Sequence, residues 1–187
     1  MSTELRGKRV AALVTHGFEQ SELVEPRAAL ERAGARVDVV SPHAGYVRGW
    51  KHKEWGDEVQ VNRTLDEVKP DEYDAVLLPG GVMSPDALRT IPAAVSFIRD
   101  AYQAGKPVAA ICHGPWTLID AGVAKGLRLT SWPSLKVDLK NAGADWVDAE
   151  VVVDRHVVSS RKPSDIPAFN QKMIEEFAHA GQPATPG

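Results

Sequence analysis

The sequence predicts a doubly wound α/β domain: a mostly parallel sheet with helices on both faces. Three observations carry that prediction. Short continuous apolar runs have the length of buried strands, the segments between them have helical spacing, and glycines recur where those helices must stop.

Arg9 to Thr15 (RVAALVT) is the first apolar run and reads as a strand. Ser21 to Ala33 has helical spacing and meets Gly34, a helix-stop residue before the second strand, Arg36 to Ser41. Gly45 to Leu65 breaks the rhythm with two short alternating pieces around Gly49 and Gly56, which predicts a β-hairpin excursion. Asp74 to Gly81 is a third strand running into a double glycine. Pro92 to Ala104 is a helix that ends at Gly105, and Pro107 to Cys112 is a fourth strand. A helix from His113 to Ala121 stops at Gly122. Trp146 to Arg161 holds two β-rich halves around Asp154 and Arg155, a strand pair. Pro163 to Gly181 reads as a closing helix and residues 182–187 as a frayed tail.

A chain of 187 residues with 43% apolar and 25% charged side chains suits one soluble domain with a sizeable core. Its net charge of −3 leaves no basic surplus for nucleic acid or an anionic membrane. No segment reaches the roughly 18 apolar residues of a membrane span. The lone cysteine permits no internal disulfide, so a reducing cytoplasm is the expected location.

That cysteine, Cys112, lies in AICHGP, between a strand and a helix opened by Pro115. A tight strand-to-helix turn lifts a nucleophile above the sheet, and the helix start aims N–H groups and partial positive charge at it. This favours thiolate, the reactive form. The plainer alternative is a small buried apolar residue. His113 is the expected acid or base, since imidazole suits proton transfer near neutrality.

Glu19, in THGFEQSE, follows the first strand and falls on the same edge of the sheet. If it touches Cys112 it must be protonated, because a carboxylate would repel a thiolate. Gly81 and His113 are the expected oxyanion donors through their backbone N–H groups, although a double glycine also serves as a simple tight turn. Asp86 reads either as a helix-start residue or as the orienting partner of His113. Gly80, Trp116 and Trp132 are candidates for the pocket wall, the indoles being equally at home in a core. The remaining histidines show no metal-ligand spacing, and no dinucleotide fingerprint is present, so neither metal nor cofactor is expected.

With Glu19, LLPGG, AICHGPW and VVVDRHVVSSRKPSDIPAF in order, the chain resembles the PfpI family of the DJ-type, class I glutamine amidotransferase-like superfamily, from about Arg9 to about Phe177. GWKHKEWGDEVQVNRTLDEV and SWPSLKVDLKNAGADWVD are most similar to its bacterial general-stress branch. The resemblance implies a flavodoxin-like sandwich, a Cys112 nucleophile flanked by His113 and a protonated Glu19, and an acid at Asp86 that completes a triad across a subunit contact of a homodimer or larger homo-oligomer. It also implies activity on reactive carbonyls or early glycated amines, intracellular peptidase activity, or a stress role in redox sensing or chaperoning.

Overall fold

A computed structural model describes residues 4–181; the tail expected at 182–187 lies outside them. The described chain opens with β1 (Arg9–Leu13) and a two-residue strand β2 (Phe18–Glu19), and α1 (Gln20–Arg32) leads to β3 (Arg36–Ser41). An antiparallel hairpin of β4 (Tyr46–Lys51) and β5 (Glu54–Gln60) follows, then β6 (Arg63–Thr64) and β7 (Ala75–Leu78). Helices α2 (Met83–Leu88) and α3 (Pro92–Gln103) precede β8 (Val108–Ile111). After it come α4 (Pro115–Asp120), β9 (Arg128–Leu129), α5 (Lys136–Asn141) and β10 (Asp145–Trp146). The antiparallel pair β11 (Val151–Asp154) and β12 (Val157–Ser160) leads to the closing helix α6 (Ile166–Ala178).

Seven strands form the central sheet in the order β11-β12-β8-β7-β1-β3-β6, parallel except at the β11 edge. Alternation along β1 shows why its residues from Val10 onward are apolar: Ala11 and Leu13 enter one core layer, Val10 and Ala12 the other. Phe97 and Ile98 of α3 and Leu118 of α4 fill the first layer. Leu23 and Leu30 of α1 and Phe169, Met173 and Phe177 of α6 fill the second. Gly34 closes α1 at φ +102°, the backbone state its helix-stop reading requires.

The hairpin predicted from Gly45 to Leu65 is present, and it does not stand alone. Strand β2 pairs with β4, so the arm is stitched to the segment that follows β1. Gln20 reinforces the join: its side-chain amide donates to Asp57 Oδ2 at 3.0 Å, and its oxygen accepts the Asp57 N–H at 2.8 Å. Among the described residues, no helix is long and apolar enough to cross a membrane.

Candidate active site

In doubly wound sheets a crevice opens beyond the carboxyl ends of the strands. Here Gly17, Gly81, Cys112 and Pro163 follow β1, β7, β8 and β12, and all four line one cavity of about 480 Å³. Arg161 fixes the last of these turns by gripping buried Asp165 through Nε at 2.9 Å and a second guanidinium nitrogen at 3.0 Å.

Cys112 has φ +63°, a left-handed conformation that costs a non-glycine residue about 1 kcal/mol or more. The strain is imposed from both sides: its N–H donates to Ser160 O at 3.0 Å and its carbonyl accepts from Trp132 N at 2.9 Å. This is the elbow the sequence predicts, and Pro115 stands in the first turn of α4 as expected. His113 is buried, with Nδ1 3.2 Å from Cys112 Sγ. Burial lowers its proton affinity, so the ring is neutral and able to accept a proton.

The carboxyl group beside the sulfur is Glu22, and this corrects the expectation placed on Glu19. Glu22 is fully buried in the first turn of α1, where Oε1 accepts the Gly80 N–H at 3.1 Å. The carboxyl lies within hydrogen-bonding reach of the Cys112 thiol, although Oε2 has no well-aligned partner. Burial, with Glu19 adding like-charge repulsion, raises its pKa to about 8, so it is a neutral acid at physiological pH. The reason for the shift from 19 to 22 is helical geometry. Glu19 caps α1 and looks out at the mouth of the cavity, whereas residue 22 lies on the inward stripe with Leu23, Pro26, Ala29 and Leu30.

The helix start does not by itself hold Cys112 as thiolate, a second correction. Burial raises the thiol's proton affinity, and an ionised Glu22 would raise it further; the N–H groups of Gly81 and His113, both directed at the sulfur, oppose this. With Glu22 protonated its repulsion is absent, and the neutral His113 ring lies 3.2 Å from the sulfur.

Gly80 is not in the cavity wall but beneath its floor. A Cβ there would lie 2.5 Å from Glu22 Oε1, 2.6 Å from Cys112 Cβ and 2.7 Å from the Ile111 carbonyl, so only glycine lets carboxyl and sulfur meet. Trp116 also lies behind the site, packing edge-on against His113 at 4.9 Å while its Nε1–H donates to Asp138 at 3.0 Å. Trp132, stacked 6.0 Å from His113, is the indole that lines the cavity, joined by Trp50 and His52 from the hairpin. Nothing local in the sequence shows that these two hairpin residues reach the same cavity as Cys112. Asp86 is exposed in the first turn of α2, and among the described residues its carboxylate makes no hydrogen bond or ion pair and does not reach His113 of its own chain.

A strained cysteine elbow on a flavodoxin-like sheet, with histidine at the sulfur and a protonated carboxyl against it, defines a cysteine-nucleophile enzyme class. A model of the DJ-1/PfpI family matches residues 8–176, and the chain belongs to that family. It is 45% identical over 168 residues to the protein/nucleic acid deglycase 2 of Escherichia coli, covering 89% of this chain and 96% of the relative. It is 43% identical over 169 residues to general stress protein 18 of Bacillus subtilis, covering 90% and 96%. Among solved structures, Drosophila melanogaster DJ-1beta superposes with a TM-score of 0.83 at 31% identity, over 95% of this chain and 91% of that one.

Proposed function

We propose that this chain is a cysteine-dependent enzyme acting on small reactive carbonyls and early glycated amines. The contact of the buried, protonated Glu22 carboxyl with the Cys112 thiol carries the reading: it places a proton donor and a nucleophile on one small cavity. As Sγ adds to an aldehyde carbon, His113 Nδ1 takes the thiol proton and Glu22 supplies one to the carbonyl oxygen. The N–H groups of Gly81 and His113 support the negative charge as it passes from sulfur to that oxygen.

In a dicarbonyl adduct, the hydrogen on the former aldehyde carbon leaves as a proton and returns to the neighbouring carbon, turning the hemithioacetal into a thioester. Water then breaks the C–S bond and releases a 2-hydroxy acid and the free thiol. A glycated amine enters as its hemiaminal, where sulfur displaces nitrogen, the amine departs with the thiol proton, and the same adduct forms. An extended peptide would need a groove, whereas this cavity is walled by the hairpin on one side and by Met83 and Val82 on another.

The test is release of lactate from methylglyoxal by chelator-treated, reduced protein. Many equivalents of acid per chain are expected. A stoichiometric oxidation of Cys112 without turnover would overturn the reading in favour of redox sensing.

We further infer that Asp86 orients His113 of a second copy, because Val82 and Met83 beside it are large, apolar and exposed, the composition of a subunit contact. A dimer or larger assembly is expected by light scattering; a monomer at working concentration removes this role.

A further inference from the structure

The cavity wall facing the sulfur is made by side chains that the thiol chemistry does not use. The hairpin brings Trp50 and His52 to it, and β2 ends there at Glu19. The arm is a fixed wall, since β2 pairs with β4 and Gln20 is doubly bonded to Asp57.

Besides Cys112, the cavity's ionisable side chains are Glu19, Glu22, His52 and His113. Among the described residues, no lysine or arginine lines the cavity, although Lys51 and Lys53 flank His52 in the chain. Glu19 stands half-buried at the mouth, and its charge is felt at the Cys112 sulfur. Burial raises its proton affinity, less than for the sealed Glu22, and His52 and Ser21 draw it back toward the ionised form. His52 is set in place by an uncommon backbone, φ +58°. Two indoles, Trp50 and Trp132, share the wall, and indoles attract cations within about 6 Å of their rings.

We propose that Glu19, with Trp50 and Trp132, makes the cavity select cationic adducts, those on guanidinium or ammonium groups, over neutral and anionic ones. The inference rests on the carbonyl-adduct reading for its biological meaning, but the charge preference itself belongs to the cavity. A lysine- or arginine-derived hemiaminal would place its positive charge toward Glu19 while its carbon meets Cys112.

Reagents that modify Cys112 without turnover separate the two ideas. Cationic aminoethyl and anionic sulfonatoethyl methanethiosulfonates react alike: sulfur displaces methanesulfinate, a mixed disulfide forms and the thiol proton goes to solvent. Because Cys112 is the only cysteine, each adduct reports one site. Rates are divided by those of a small free thiol at the same pH. Wild type is expected to favour the cation about tenfold, and added salt to erode the preference. Glu19→Gln should bring the ratio to within about twofold of the free thiol, with Glu19→Asp retaining most of it. An unchanged ratio in Glu19→Gln, or a wild-type preference insensitive to salt, overturns the proposal. Should the charge preference hold while methylglyoxal is not turned over, the carbonyl chemistry alone fails.

Discussion

Cys112→Ser is expected to abolish lactate release from methylglyoxal, to the background rate of a buffer control. The hydroxyl is the same size to within a fraction of an ångström and fits the same strained elbow, so the fold survives and melting temperature moves little. Chemistry is what is lost. An alkoxide is far harder to form than a thiolate, and the neutral His113 at 3.2 Å is too weak a base to form it. Measurement of product by chromatography, alongside a thermal melt, separates loss of reactivity from loss of structure. Turnover equal to wild type would sink the assignment of Cys112 as nucleophile.

Glu22→Gln is expected to cut turnover by about 10²- to 10⁴-fold, the range for removing a positioned proton donor. The amide can still accept the Gly80 N–H, so the position of the sulfur is preserved. The pH profile gives the sharper readout. Glu22 titrates at about 8 in the fold, so wild-type activity should fall on the alkaline side around that pH, as the carboxylate forms and repels the developing thiolate. In Glu22→Gln that limb should be missing. Stability carries the same signature: a carboxyl whose folded pKa is raised above 4.5 binds its proton more tightly when folded, so stability declines as pH rises from the unfolded value through about 8. The substitution should flatten that decline in denaturant titrations. A wild-type alkaline limb that persists in Glu22→Gln would assign the titration to another group.

The long apolar strands and helices were legible because burial on both faces leaves a continuous apolar run that little else in a chain produces. Strand β3 has the predicted bounds, Arg36–Ser41, and the hairpin announced itself by alternation. The two-residue strands β2, β6, β9 and β10 carry no period to read, and of the six-residue helices α2, α4 and α5 only α4 was legible, from the elbow and proline that open it. In the site, the elbow was legible because its constraint is local: strand, cysteine, small residue, proline. The acid was misplaced by three residues because a carboxyl just after a strand looks like a crevice residue. The signal for Glu22 was there, one position before Leu23 on the buried stripe of α1, a charged residue where the helix should be apolar. Trp50 and His52 depend on how the arm reaches the cavity, and no neighbour in sequence encodes that.

The backbone at Cys112 has a consequence for directed evolution of this chain. At φ +63° Cys112, the proposed nucleophile, occupies a glycine's conformation, so glycine at 112 would relieve about 1 kcal/mol of backbone strain while deleting the thiol. A selection that rewards heat resistance alone therefore does little to defend the thiol, and catalysis must be screened in every round to keep it in place.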